Sequence, residues 1–186
     1  AVVANGQKRK SSDFYPILSK GKWGFVEKSG KLIVEPQFEG AWPATEGLAC
    51  VRIKGKHGYV DASGKLVIPA VYETVNEFSE GLAAAGTTIG KYGFIDKSGK
   101  FVIAEQFNFV SEFSEGLAAV EINDKWGFVN KSGVLVVKPR YGQAYSFSDG
   151  LAIVITGVKK KKTRDHHSLP TFPVVGWGGV WRLWLV

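Results

Sequence analysis

The chain has 186 residues, 24 Lys and Arg against 17 Asp and Glu, a net charge of +7, one cysteine and no methionine. That length allows one ordinary domain or one short array, and the single Cys50 excludes an internal disulfide framework. The positive charge does not mark a nucleic-acid binder: residues 21–158 hold 14 basic and 15 acidic side chains, while residues 1–20 carry +3 and residues 159–186 carry +5. A near-neutral body lacks the basic stripe that phosphate contacts require.

Residues 1–13 are polar and unpatterned, and AVVA has neither the charged nor the apolar region of a leader. The segment PILSKGKWG reads as the tail of a preceding half-repeat, so residues 1–20 form an extension with a partial copy. From residue 21 the chain repeats. The phrases KWGFVEKSGK, KHGYVDASGK, KYGFIDKSGK and KWGFVNKSGV begin at Lys22, Lys56, Lys91 and Lys125. Their first glycines, Gly24, Gly58, Gly93 and Gly127, step by 34, 35 and 34 residues. The glycines of a second phrase, ATEGLAC, FSEGLAA, FSEGLAA and FSDGLAI, keep the same steps at Gly47, Gly81, Gly116 and Gly150. An aromatic residue follows each hairpin phrase in fixed phase, at Phe38, Tyr72, Phe107 and Tyr141. The extra residue of the third copy lies inside AAAGTTIGKY, a loop insertion.

Such a period also suits helical arrays, but the residues exclude them. After EGL, Ala49, Val51 and Ile53 alternate with Cys50, Arg52 and Lys54, a period of two that predicts a strand. The Trp-Gly phrase predicts a second strand. The turns Glu27–Gly30, Asp61–Gly64, Asp96–Gly99 and Asn130–Gly133 follow, in which Asp or Asn bonds the backbone two residues on and Gly takes a positive φ. A third, short strand (Leu32-Ile33-Val34 and its equivalents) is expected to stop near Pro36, Pro69 or Pro139. An irregular aromatic segment then leads to a turn around Ser-Glu-Gly, with Phe78, Phe113 and Phe147 packed beneath. A unit this small cannot bury its own apolar face, so the copies must stack.

The fold class read from this pattern is all-β: a tandem array of four three-stranded meander repeats over residues 21–158. An open, curved array is favoured over a propeller, because three-stranded blades are thin and no closing strand is evident. Residues 159–186 abandon the pattern. Their lysine run suggests a frameshifted coding stretch, and the tail is expected to be disordered or to collapse through Trp177, Trp181 and Trp184. Residues 174–186 are too short to span a bilayer.

The two phrases together resemble the WG-repeat (KWG-repeat) family of mostly bacterial proteins. The resemblance covers residues 21–158. It implies a scaffold, often joined to other domains, with no shared catalytic chemistry. His57 and Tyr92 depart from it at the Trp position, and Ala44-Thr45 stands where other copies have Phe-Ser. With Trp42-Pro43 just before, this last departure implies different packing of the first copy.

Little in the array suggests catalysis, and no enzyme activity or cofactor is expected. His57 reads as a packed ring; His166-His167 with Asp165 lacks a cysteine partner for a metal site; no phosphate or dinucleotide loop occurs. Ser29, Ser63, Ser98 and Ser132 recur in every copy, as do Glu46, Glu80, Glu115 and Asp149, so they serve the fold. One carboxylate per copy is too few for calcium. Cys50 reads as a small core residue. The leading function is a non-enzymatic scaffold for protein–protein interaction. Candidate interaction residues are Trp42, Lys54, Lys56, Thr87, Thr88, Asn108, Asn123 and Asp124, all in non-repeated loops. The rival is a carbohydrate or cell-envelope binding module that stacks sugars on Trp23, Trp42 and Trp126. A partner protein or glycan is expected, with no nucleic acid and no membrane span; a cell-envelope or secreted location is favoured over the cytoplasm.

Overall fold

The computed structural model describes residues 14–156 and the backbone of residues 180–184. Expectations for residues 1–13, and for the tail at 157–179 with its frameshift, its histidines and Trp177, lie outside the described residues.

Five antiparallel sheets follow one another in chain order. The first contains β1 (Tyr15–Ser19), β2 (Lys22–Val26) and β3 (Leu32–Phe38). The second contains β4 (Gly40–Ala41), β5 (Ala49–Ile53), β6 (Lys56–Val60) and β7 (Leu66–Tyr72). The third contains β8 (Thr74–Val75), β9 (Ala83–Gly86), β10 (Tyr92–Ile95) and β11 (Phe101–Phe107). The fourth contains β12 (Phe109–Val110), β13 (Leu117–Ile122), β14 (Lys125–Asn130) and β15 (Leu135–Tyr141). The fifth contains β16 (Gln143–Ala144), β17 (Leu151–Ile155) and β18 (Val180–Trp184). The chain is all-β; no sheet closes into a barrel, and among the described residues no strand of the fifth sheet pairs with the first. β1 pairs with β2 from Tyr15↔Val26 to Ser19↔Lys22, so the PILS segment acts as the half-repeat its sequence suggests.

Two local expectations need correction. Each aromatic segment is not wholly irregular: its first two residues form a fourth strand at the edge of the next sheet, as in Gly40↔Arg52 and Ala41↔Val51. The chain thus leaves one sheet at β7 and joins the next at β8 across the single residue Glu73. Nor does proline end the third strand. β3, β7 and β15 run through Pro36, Pro69 and Pro139 to the aromatic residue. These are outer strands, where a missing N–H is tolerated, and the ladder is bulged there.

That bulge explains the Trp-Gly phrase. Between His57↔Tyr72 and Tyr59↔Ile68 the outer strand carries two extra residues, which bow across Gly58. A Cβ on Gly58 would lie 2.6 Å from the Ile68 carbonyl oxygen and 2.7 Å from Ala70 N. Gly24, Gly93 and Gly127 face the Val34, Ile103 and Val137 carbonyls in the same way. The glycine is needed for close approach of backbone, not for φ.

The core consists of four clusters, one between each pair of successive sheets. The strand after EGL serves two of them: Ala49 and Val51 face the first sheet, while Cys50 faces the third. Small residues on both faces let neighbouring sheets close on it. The Phe before the Ser-Glu-Gly and Ser-Asp-Gly turns is buried edge-on against the strand of the preceding sheet. Tyr59–Phe78, Phe94–Phe113 and Phe128–Phe147 have ring centroids 4.9, 4.7 and 5.0 Å apart. Each such ring contributes roughly 1.5–3 kcal/mol by burial. The first junction has Ala44 at this position. Phe14 fills the space instead, 4.9 Å from Phe25, and its carbonyl accepts the Ala44 N–H at 3.2 Å. This is the different packing that the Ala44-Thr45 departure implies.

Candidate functional site

The two kinds of repeated turn sit at the same ends of the strands. Thr45 and Leu48 exchange backbone hydrogen bonds of 2.9 and 3.1 Å around Glu46 (φ 54°) and Gly47 (φ 85°), a two-residue type I′ turn that recurs three times. Glu is an unusual occupant of a left-handed position, and its carboxylate explains it. Glu46 accepts the Gly81 N–H at 3.0 Å, Glu80 the Gly116 N–H at 3.0 Å, and Glu115 the Gly150 N–H at 2.9 Å. The turns thus form a ladder joining successive sheets. Lys97 and Lys131, from the KSG hairpins, pair with Glu46 and Glu80 at 3.4 and 3.1 Å. Burial pushes the Glu80 carboxyl up, but the hydrogen bonds from Lys131 and Gly116 outweigh it and hold it below its usual range. Ser79 and Ser114 hydroxyls donate to the Phe113 and Phe147 carbonyls at 2.6 and 2.7 Å. In the KSG hairpins, Asp61, Asp96 and Asn130 accept the N–H two residues on at 2.8–3.1 Å, as their sequence predicts. Every one of these repeated residues is occupied in holding the fold.

The opposite ends of the strands carry the crossings between sheets and the β5–β6, β9–β10 and β13–β14 loops. All eight candidate residues fall at this end. Lys54 lies in the β5–β6 hairpin, which Glu39 clamps by accepting from Lys54 N at 3.0 Å and Gly55 N at 2.9 Å. Lys56 pairs with Glu73. Thr87 and Thr88 are exposed in the β9–β10 loop, Thr87 donating to Glu105. Asn108 is half-buried at a crossing, and Asn123 and Asp124 form the exposed β13–β14 hairpin. The topology brings them to one rim, but they do not form one site.

One cleft does form there, of about 520 Å³, between the second and third sheets. Trp42, His57 and Cys50 line it from the second sheet, Tyr92 and Glu77 from the third, and Glu112 from the segment between β12 and β13. Trp42, Cys50, His57 and Tyr92 are places where the repeat departs from itself. Trp42 stands where other copies have Asn76, Ser111 and Tyr145; Cys50 where they have Ala84, Ala119 and Ile153; His57 and Tyr92 replace Trp. Trp42 lies over Gly40, where a Cβ would meet its ring at 3.1 Å, and 5.5 Å from the His57 ring at a 59° tilt. His57 Nδ1 is 2.9 Å from the Glu73 carbonyl oxygen, which can only accept, so the proton sits on Nδ1 and the ring is fixed. Tyr92 stacks on Phe109 at 6.4 Å and 26°. Cys50 is buried, and burial, then the neighbouring Glu77, pushes its thiol up to about 12. A protonated thiol beside a carboxylate is a poor nucleophile. Among the described residues no group of His, Cys, Asp and Glu could hold a metal ion.

Of the candidate residues, the cleft gathers only Trp42. His57, Tyr92, Cys50, Glu77 and Glu112 were outside the candidate set. For His57, Tyr92 and Cys50 the signal was present in the sequence as departures from the repeat; Glu77 and Glu112 occupy the same position in two copies and gave none.

The model of the WG containing repeat matches residues 23–56, 58–85, 92–126 and 126–157. The chain belongs to the WG containing repeat family. No curated protein matches this WG-repeat chain. Among solved structures it is similar to the computationally designed Ika8 protein, at 10% identity and a TM-score of 0.48, covering 77% of this chain and 55% of that one. It is also similar to a eukaryotic initiation factor, at 16% identity and 0.52, covering 81% and 47%. A third likeness is to a chain of the S. cerevisiae dbp5–nup159–gle1 complex, at 12% identity and 0.47, covering 84% and 53%. The WG-repeat chain spans about half the length of these structures, and the likeness concerns fold alone.

Proposed function

We propose that this WG-repeat array is a non-enzymatic scaffold that binds another protein through the crossing rim. The observation that carries this reading is the division of labour between the two ends of the strands. At the turn-ladder end Glu46, Glu80 and Glu115 join successive sheets, as do Ser79 and Ser114, and Asp61, Asp96 and Asn130 hold their own hairpins. At the crossing end the loops vary from copy to copy, and the departures converge on one cleft. A fold that spends its repeated residues on itself leaves the singular ones for recognition.

The rival, a carbohydrate ladder, has some support. The rings at Trp23, His57, Tyr92 and Trp126 are half-buried rather than fully covered, and Trp42 is 40% exposed. Against it, the rings in the cleft are tilted or stacked against other rings rather than aligned as a flat platform. The test is a parallel selection on the immobilised chain with a displayed peptide library and a glycan array. Peptides whose capture is lost with Trp42→Ala or Lys54→Glu support the scaffold. Glycan capture lost with Trp42→Ala, with no peptide enriched, would replace it with the rival.

A further inference from the structure

We infer that the cleft between the second and third sheets receives a cationic side chain of the partner, a lysine or arginine, between the rings of Trp42, His57 and Tyr92 and against the carboxylates of Glu77 and Glu112. The inference rests on the reading of the array as a protein scaffold and gives its partner a chemistry.

Charge is the first argument. Three carboxylic residues line the cleft, Glu73, Glu77 and Glu112, and no lysine or arginine does. Glu73 is already paired with Lys56 on the rim, whereas Glu112 has no ion-pair partner among the described residues. Glu77 lies close enough to bias the Cys50 thiol within the cleft. The second argument is the disposition of the rings. Trp42 and His57 come from the second sheet and Tyr92 from the third, so the rings reach the cleft from both sheets. A cation over an aromatic face is attracted by the ring quadrupole, and the carboxylates that line the cleft add a charge term. The rings are held for this: Trp42 by Gly40, His57 by the Glu73 carbonyl, Tyr92 by Phe109. The site is built once, since no other copy has both a ring at the Trp42 position and the small Gly40 beneath it.

The test uses the full ¹⁵N-labelled chain, with the Trp42 indole resonance identified by its loss in Trp42→Phe. Choline and Nα-acetyl-arginine amide are the cationic probes, and 3,3-dimethylbutanol is the neutral isostere of choline. Both cations should move the Trp42 indole saturably, and the isostere should bind about tenfold more weakly. Glu77→Gln and Glu112→Gln should each weaken choline several-fold, and added salt should do the same. Trp42→Ala should abolish the response while the other indole resonances, which report the fold, stay in place. Equal binding of the isostere, or an unchanged response of the remaining cleft resonances in Trp42→Ala, overturns the inference. So does a glycan that displaces choline. The two readings separate cleanly. Selected peptides without lysine or arginine, with choline silent, leave the scaffold and sink the cation site. Choline bound at Trp42, with no peptide selected, keeps the cation site and sinks the scaffold.

Discussion

Gly58 and Gly30 belong to the same repeated phrase, yet they are glycine for different reasons, and substitution separates them. Gly58 lies under the bulged outer strand, where a Cβ meets backbone on two sides. Gly30 has open space around it and a φ of 87°. Gly58→Ala is expected to cost about 3 kcal/mol, because backbone must move. Gly30→Ala is expected to cost about 1 kcal/mol, the left-handed penalty alone. Urea midpoints at constant m-value would measure both, and equal losses would contradict the close-approach account. The acidic residues of the turns give a pH signature at the same scale. Glu80 has a folded carboxyl held below its ordinary value of 4.5, and so has Asp96 below 3.8, first by the Ser98 hydroxyl. A depressed carboxylate adds stability that is present above the unfolded value and is lost as pH falls through the lower folded one. Glu80→Gln should therefore be less stable than wild type at pH 7, with the gap closing as acid takes the pH below about 4. A gap that is independent of pH would show that the negative charge of Glu80 contributes nothing.

Phe14 and Ala44 show how one element compensates for another. Three junctions take their ring from the Phe before Ser-Glu-Gly or Ser-Asp-Gly; the second sheet's turn has Ala44, and the first sheet's N-terminal end supplies Phe14 to the same space. Phe14→Ala should cost about 3–5 kcal/mol, the usual loss for a buried Phe. Ala44→Phe in the wild-type chain should also destabilise, since the space is full. The double substitution should recover more than half of the Phe14→Ala loss, because it restores the arrangement of Phe78 and Phe113. Additive losses in the thermal midpoints would show that the two residues do not share one space.

Over the whole molecule, stability is spread along the chain of junctions rather than gathered in one core, as nearest-neighbour arrays require. The central strands β5, β9 and β13 are paired on both edges and buried on both faces, while β3, β7, β11 and β15 are outer strands with alternate side chains exposed. Amide exchange should be slowest in β5, β9 and β13 and faster by orders of magnitude in the outer strands. Uniform protection across each sheet would mean that the sheets open only as complete units.

Much of this architecture was legible in the sequence. The steps of 34 and 35 residues, the Asx-type hairpins, the positive-φ glycines and the buried Phe78, Phe113 and Phe147 all follow from local chemistry repeated in phase. The two-residue fourth strand was not legible, because two residues have no periodicity. The proline reading failed because proline limits a strand only where its N–H is needed, and whether it is needed depends on which strand lies at the edge. Phe14 in the place of Ala44's missing ring could not be read from either residue alone. The cleft is the clearest case. Trp42, His57, Tyr92 and Glu112 come from four separate segments, and their neighbourhood exists only where successive sheets meet. Repetition along the chain determined the fold, because each unit carries its own turns and strands. The site was decided by tertiary structure, because its residues come from different units that only the packing of the sheets brings together.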